Sequence, residues 1–172
     1  NGQKIFFFRT DFSVSGTPIS FSAALRVRGL IENSDVVHYH FPYPFLDFIH
    51  FFSGVIKPSV VTYHSDIVRQ RKLLRIYKPL MRRFLSSVNS IVATSPRYLE
   101  TSEILSKYRS KTCVIPIGLE SMQYPSVSEE RMADWRSRID KKIFLFVGVL
   151  RYYKGFSVLV QAVERSHYPV GI

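Results

Sequence analysis

A single cysteine, Cys113, stands in 172 residues. That excludes an internal disulfide framework and a cysteine-rich zinc site, and it suits a reducing cytoplasm. Long apolar runs are missing too: none approaches the roughly 18–20 residues of a membrane-spanning helix. The opening Asn1-Gly2-Gln3-Lys4 shows no signal-peptide pattern, and no initiator methionine precedes it. A fragment, incomplete at both ends, is expected. No internal repeat or low-complexity tract is present. Acidic residues are scarce: 13 Asp and Glu against 24 Lys and Arg leave a formal charge of +11. Such a surface attracts polyanions, whether nucleic acid, anionic lipid or phosphorylated small molecules. Apolar residues make up 46% and charged residues 22%, a globular balance that excludes intrinsic disorder.

Strand-like and helix-like patterns alternate along the chain. Apolar, β-branched runs at Ile5–Phe8, Asp35–His40, Ser59–Tyr63, Ser90–Thr94 and Lys111–Pro116 read as strands. Between them Ser20–Leu30, Phe45–Phe52 and a long stretch from Ile67 to Ser87 read as helices, the last bent or divided at Pro79. Ser95-Pro96 supplies a cap and a first-turn proline for the next helix. Alternation at these intervals implies an α/β fold: a mostly parallel sheet with helices on both faces. After Gly118 the composition changes. Glu120–Ser128 suits a linker, Glu129–Ile139 a helix, Lys142–Gly148 a buried strand, and Phe156–Glu164 an apolar-periodic helix. Boundaries at 1–120, 121–140 and 141–172 follow: a first domain, a linker with its helix, and the start of a truncated second domain.

Four constellations could carry chemistry. Alternation along a strand puts His38 and His40 on one side, at the carboxyl end where open α/β sheets bind ligands. Backbone partners could satisfy both rings, or a metal could draw them together. His64 and Asp66 follow the next strand, which sets His64 beside His40; Asp66 could cap the helix after it. No acidic residue occurs from Ile67 to Leu99, while Arg69, Arg71, Lys72, Arg75, Lys78, Arg82 and Arg83 do. At 100° per residue, Arg71, Arg75, Lys78 and Arg82 form one stripe; Leu73, Ile76, Tyr77, Leu80, Met81 and Phe84 form another. Packing explains the apolar stripe and leaves the cations to an anionic partner. Aromatics cluster elsewhere, at Phe6–Phe8 and Phe41–Phe52, which favours a membrane surface over single-stranded nucleic acid. Finally, Arg151 and Lys154 lie in a strand-to-helix loop after Gly148, where backbone N–H groups and two cations make a phosphate seat. The spacing is not that of a Walker loop.

Together these residues resemble the family-4 retaining glycosyltransferases of the GT-B fold. Asp35-Val-Val-His-Tyr-His-Phe-Pro42 and Val60-Val-Thr-Tyr-His-Ser-Asp66 look like two of that family's strand ends. Ile91–Leu99 with Val114–Leu119 look like its closing N-domain strands, and Phe146–Gly155 like its first C-domain strand and phosphate loop. The form with HxHxPxP and YYKG is similar to bacterial enzymes that extend O-antigen or exopolysaccharide chains. The likeness covers about residues 35–165. It implies Rossmann-like domains, with the acceptor mainly on the first and a nucleotide-sugar donor mainly on the second. Transfer would be metal-independent and would retain anomeric configuration, with no cofactor. His64 would be the catalytic contact, Arg151 and Lys154 would hold the donor diphosphate, and His38, His40 and Asp66 would line the acceptor side. Three departures stand out. The family's glycine-rich N-domain loop and its paired C-domain glutamates are absent, and Val149 replaces the phosphate-loop arginine, leaving Arg151 three residues after Gly148. The chain alone is therefore expected to be inactive.

The expectation is thus a hexosyltransferase of surface polysaccharide synthesis acting on a saccharide or polyprenyl-linked acceptor. It would sit in the cytoplasm, peripheral to the inner face of the membrane, held by Arg71, Lys72, Arg75, Lys78, Arg82 and Arg83, without nucleic acid. Two other readings stay open: a basic α/β module that binds nucleic acid or anionic membrane without chemistry, and a metallohydrolase using His38, His40 and His64.

Overall fold

The β-branched runs between residues 37 and 114 become strands in the computed structural model, and the amphipathic stretches between them become helices. The structure describes residues 2–54, 56–67, 71–120, 124–139, 145–150 and 152–166. β1 (Phe12–Val14) and β2 (Thr17–Ile19) precede α1 (Phe21–Glu32). Then β3 (Val37–Phe41), β4 (Ser59–Tyr63), β5 (Ser90–Ala93) and β6 (Thr112–Val114) lie side by side in chain order, all parallel. Connecting them are α2 (Pro44–Phe52), α3 (Arg71–Ser87), α4 (Pro96–Thr101) and 3₁₀ turns over Leu105–Lys111. This is the parallel α/β sheet flanked by helices that the alternation implies, except that α2, α3 and α4 pack against one face of it and not against both.

Right-handed crossovers between strands taken in order fall on one face of a sheet. The core shows it. Tyr39 and Phe41 of β3, Val61 and Tyr63 of β4, and Ile91 and Ala93 of β5 point to the same side and meet Met81, Phe84 and Leu85 of α3 and Val88 just after it. Each such fully buried side chain contributes roughly 1.5–3 kcal/mol. Tyr39 and Phe84 meet edge to face at 5.2 Å, and Phe41 stacks on Tyr63 at 4.5 Å. Helix ends are closed locally. Ser20 accepts from the Ala23 N–H and Ser95 from the Tyr98 N–H, while Lys111 donates to the carbonyls of Ser86 and Val88 at the end of α3.

Several expectations are corrected. Ile5–Phe8 forms no strand, and Ile5, Phe6 and Phe7 are exposed. No described strand lies beside it to take its backbone hydrogen bonds. The antiparallel hairpin β1–β2 comes next instead, turned by Ser15 and Gly16, both at positive φ (51° and 83°), as a two-residue type I′ loop requires. α3 runs through Pro79 undivided. Pro79 and Arg75 are both exposed, so the Arg75 carbonyl that loses its partner faces water. Its buried stripe also differs: Leu74, Tyr77, Met81, Phe84, Leu85 and Val88 face the core, whereas Ile76 is 79% exposed and Leu73 40%.

Backbone contacts divide the chain into two compact units, Asn1–Gly118 and Leu119–Ile172. In the second, α5 (Glu129–Arg138) carries Glu129 and Glu130 in its first turn and Arg136 and Arg138 in its last, matching its dipole. A 3₁₀ turn (Tyr152–Lys154) leads to α6 (Phe156–Glu164). The strand expected at Lys142–Gly148 lies partly outside the described residues. Its described part, 145–148, is not a strand, and Leu145 and Val147 are exposed. No described strand of this unit is present to pair with it.

Candidate functional site

Three imidazoles gather on the sheet face opposite the α3 core. The register sets His38 beside Val60 and His40 beside Thr62. His64 directly follows β4, and its backbone N–H donates to the Phe41 carbonyl at 2.9 Å, so the ladder itself fixes its position. His40 Nδ1 and His64 Nε2 share a hydrogen bond of 2.9 Å, with ring planes 12° apart. His38 stacks on His40 at 4.8 Å and bonds Thr62 Oγ1 at 2.8 Å. All three rings are exposed; His40 and His64 lie at or next to the carboxyl ends of β3 and β4, whereas His38, expected there too, is the second residue of β3 and lies toward its amino end. Thr62 escaped the sequence reading; its alternation with His64 along β4 is the signal that could have found it.

One N–H lies between His40 and His64, so one ring donates and the other accepts. Partial burial lowers the pKa of His38, and the neighbouring His40 and His64 lower it further. Burial, then His40, lowers that of His64. Rings of this kind offer a neutral donor or acceptor at pH 7. Depressed folded pKa values mean that the unfolded chain binds protons first. Stability from these groups is therefore complete above the ordinary value of 6.5 and is lost as pH falls through the lowered values. The expected outcome, read by thermal melts, is that between pH 7 and pH 5 the parent's midpoint falls by a few degrees relative to that of a His38→Gln/His64→Gln double variant, a difference in which the groups common to both proteins cancel.

The other candidates divide. The Asp66 carboxylate accepts from the Tyr63 hydroxyl at 2.7 Å and the Ser102 hydroxyl at 3.0 Å, tying the end of β4 to the segment after α4. It is thus held by hydroxyls of the core side, not by an imidazole. The capping contact expected of it would fall on residues 68–70, which lie outside the described residues. The fourth described histidine, His50, bonds Tyr39 and Ser87 and serves the packing. Lys72, Arg75, Lys78 and Arg82 are exposed along α3, which Arg71 opens; Arg83 lies over the Phe51 ring at 5.0 Å, and Arg69 is outside the described residues. In the second unit Lys154 is exposed, its Nζ 5.7 Å from the Tyr153 ring. Gly155 follows at φ 73° and opens α6. Arg151 lies outside the described residues. No group of three His, Cys, Asp or Glu among the described residues is arranged to hold a metal ion, and no described helix is long and apolar enough to cross a membrane.

Comparison with known proteins agrees with the resemblance drawn from the motifs. The family model described as Glycosyltransferase Family 4 matches residues 5–121. The D-rhamnosyltransferase WbpZ of Pseudomonas aeruginosa is 50% identical over 171 residues, which is 99% of this chain and 45% of that protein. The O-antigen chain mannosyltransferase C of Escherichia coli is 44% identical over 170 residues, 99% of this chain and 46% of its own length. The chain spans about half the length of these curated relatives.

Proposed function

The chain belongs to glycosyltransferase family 4, and from that premise we propose that it serves the transfer of a sugar from a nucleotide-sugar donor to a saccharide acceptor in surface polysaccharide synthesis. The carrying observation is the exposed His40–His64 pair at the strand ends. The names of the two relatives narrow the donor. One is a rhamnosyl- and the other a mannosyltransferase. D-Rhamnose is mannose without its 6-hydroxyl, so a manno-configured donor sugar fits both.

In this reading the bond between the anomeric carbon and the diphosphate oxygen breaks as the acceptor hydroxyl bonds to the same carbon on the same face, and the hydroxyl proton passes to the departing diphosphate oxygen. His64 donates to the sugar at the reacting region. Lys154, Arg151 and the first N–H groups of α6 take up the charge that develops on the leaving diphosphate. These cations are the basis for proposing that no metal is needed. His40 and His38 face the acceptor, and Asp66 positions the segment that bears His64.

α3 is the proposed membrane contact. Lys72, Arg75, Lys78 and Arg82 are exposed beside Leu73 and Ile76, and a face mixing cations with exposed aliphatics suits the boundary between headgroups and acyl chains. Such a face supports a place on the inner leaflet, with a lipid-linked acceptor, and disfavours nucleic acid.

A panel of GDP- and UDP-linked sugars, assayed on the complete enzyme with and without EDTA, tests the proposal. Transfer of a manno-configured sugar with retained configuration, unchanged by EDTA, is expected. Inversion, or hydrolysis without transfer, would overturn it. Vesicle co-sedimentation tests the membrane contact: Arg75→Glu with Arg82→Glu should abolish binding to anionic vesicles, and unchanged binding would remove that part.

A further inference from the structure

Beneath the exposed face of α3 lies a cavity of about 250 Å³, walled by α3 and the 3₁₀ turns that follow α4. At about 30 Å³ per water it holds some eight waters. That is room for a small polar group and far too little for a nucleotide sugar. Lys78 and Arg82, one helical turn apart on α3, line it from one side and Lys107 from the other. The Tyr108 hydroxyl donates to the Arg82 carbonyl at 3.2 Å and holds the two walls together. Asp66 and Glu103 also line the cavity. Asp66 is already engaged by Tyr63 and Ser102. The ion pairs among the described residues are Arg28–Glu32 and Arg138–Asp134, so none of the three cations has a carboxylate within pairing distance.

Against the carboxylates of Asp66 and Glu103 the three cations still leave the lining positive by one formal charge, and an anion placed between the cations engages donors that no carboxylate takes in an ion pair. Two lysines and an arginine offer charge-assisted donors to phosphate oxygens. Glu103 and the second Asp66 oxygen can accept from hydroxyls. We propose that this cavity binds the phosphate of a small phosphoglycerol group, the headgroup of an anionic lipid or the same ester free in solution. Lys107 is the distinguishing residue. It lies outside the basic stripe of α3, and nothing in the sequence pattern connects it to Lys78 and Arg82.

The proposal deepens the reading of α3 as the face turned to lipid, and the experiment separates the two. Titration of the full chain with sn-glycerol 3-phosphate by calorimetry or amide shifts should give saturable one-to-one binding. Lys107→Gln should weaken it at least tenfold and Lys107→Arg less than threefold. Arg109→Gln, which removes one charge from the same turns without lining the cavity, should change it less than twofold. Circular dichroism checks folding, and Lys78→Gln repeats the test from the other wall. Phosphatidylglycerol vesicles form the second arm. Lys107 dependence in both arms assigns a headgroup. Dependence in the soluble arm alone upholds the site, assigns a free ester and removes the lipid reading. Equal losses in Lys107→Gln and Arg109→Gln, or no saturable binding of the ester, would overturn the site, even where vesicles still bind through the stripe.

Discussion

Replacing His64 by alanine in the complete enzyme is expected to lower kcat about 10²–10³-fold, the usual effect of losing one donor aimed at the reacting region. The expectation rests on how tightly the fold sets this ring. The backbone of His64 is tied to the Phe41 carbonyl and its ring, through Nε2, to His40. The donor-facing role predicts a loss in kcat and kcat/KM together, because the interaction strengthens as the diphosphate departs. His40→Ala, acting through His64, should cost about tenfold by leaving that ring free to turn. Thermal melts at pH 8 should move little for either variant, since both rings are exposed. A His64→Ala enzyme within threefold of its parent would remove His64 from the chemistry and return the cluster to a packing role.

The two central strands, β4 and β5, were legible because both their faces are covered or nearly so, and such strands read as continuous β-branched runs; Ser59–Tyr63 matches its expected limits residue for residue. Local capping made α1 and α4 readable from Ser20 and Ser95, whereas α5 was readable from its charged composition and its Ser128 cap was not foreseen. Phe156–Glu164 was readable from its period alone. What failed depended on neighbours. Ile5–Phe8 and 145–148 have the composition of strands, but a strand exists only where another takes its hydrogen bonds. The stripe of α3 was misjudged by about one residue, which exchanged Ile76 for Leu74 and Leu85, because a basic helix with aliphatics all round has no single apolar face until the sheet selects one. At the site, alternation placed His38 and His40 on one side and topology placed His64 beside them. Neither could show that His38 holds Thr62 or that Asp66 is claimed by two hydroxyls. Those are contacts between elements 24 and 36 residues apart, or between side chains whose rotamers only packing decides.

Asp47 is the clearest case of such a contact, and it carries the other large expected effect. It lies in the first turn of α2, 2% exposed, and accepts from the Tyr77 hydroxyl of α3. No cation among the described residues pairs with it. Burial pushes its pKa from 3.8 up to about 7, although the Tyr77 hydrogen bond pulls the other way. The nearby phenols register the same burial, Tyr39 being pushed up to about 12 by desolvation and then by Asp47. Between about pH 4 and pH 7 the folded chain therefore holds a proton that the unfolded chain has released, and stability falls as pH rises through that window. Asparagine has the same shape, keeps an oxygen for Tyr77 and cannot ionise. Asp47→Asn should match the parent within about 0.5 kcal/mol at pH 4. It should exceed the parent by on the order of 2–4 kcal/mol at pH 8. Urea unfolding at both pH values reads the difference, and the imidazole contribution cancels because it is common to both proteins. A variant less stable than its parent at pH 8 would mean that the carboxylate is ionised and favourably bound there. The expected result would instead identify Asp47–Tyr77 as a contact that orients α2 against α3 at a cost in stability. A buried polar pair can specify geometry in this way where an apolar pair would only fill space.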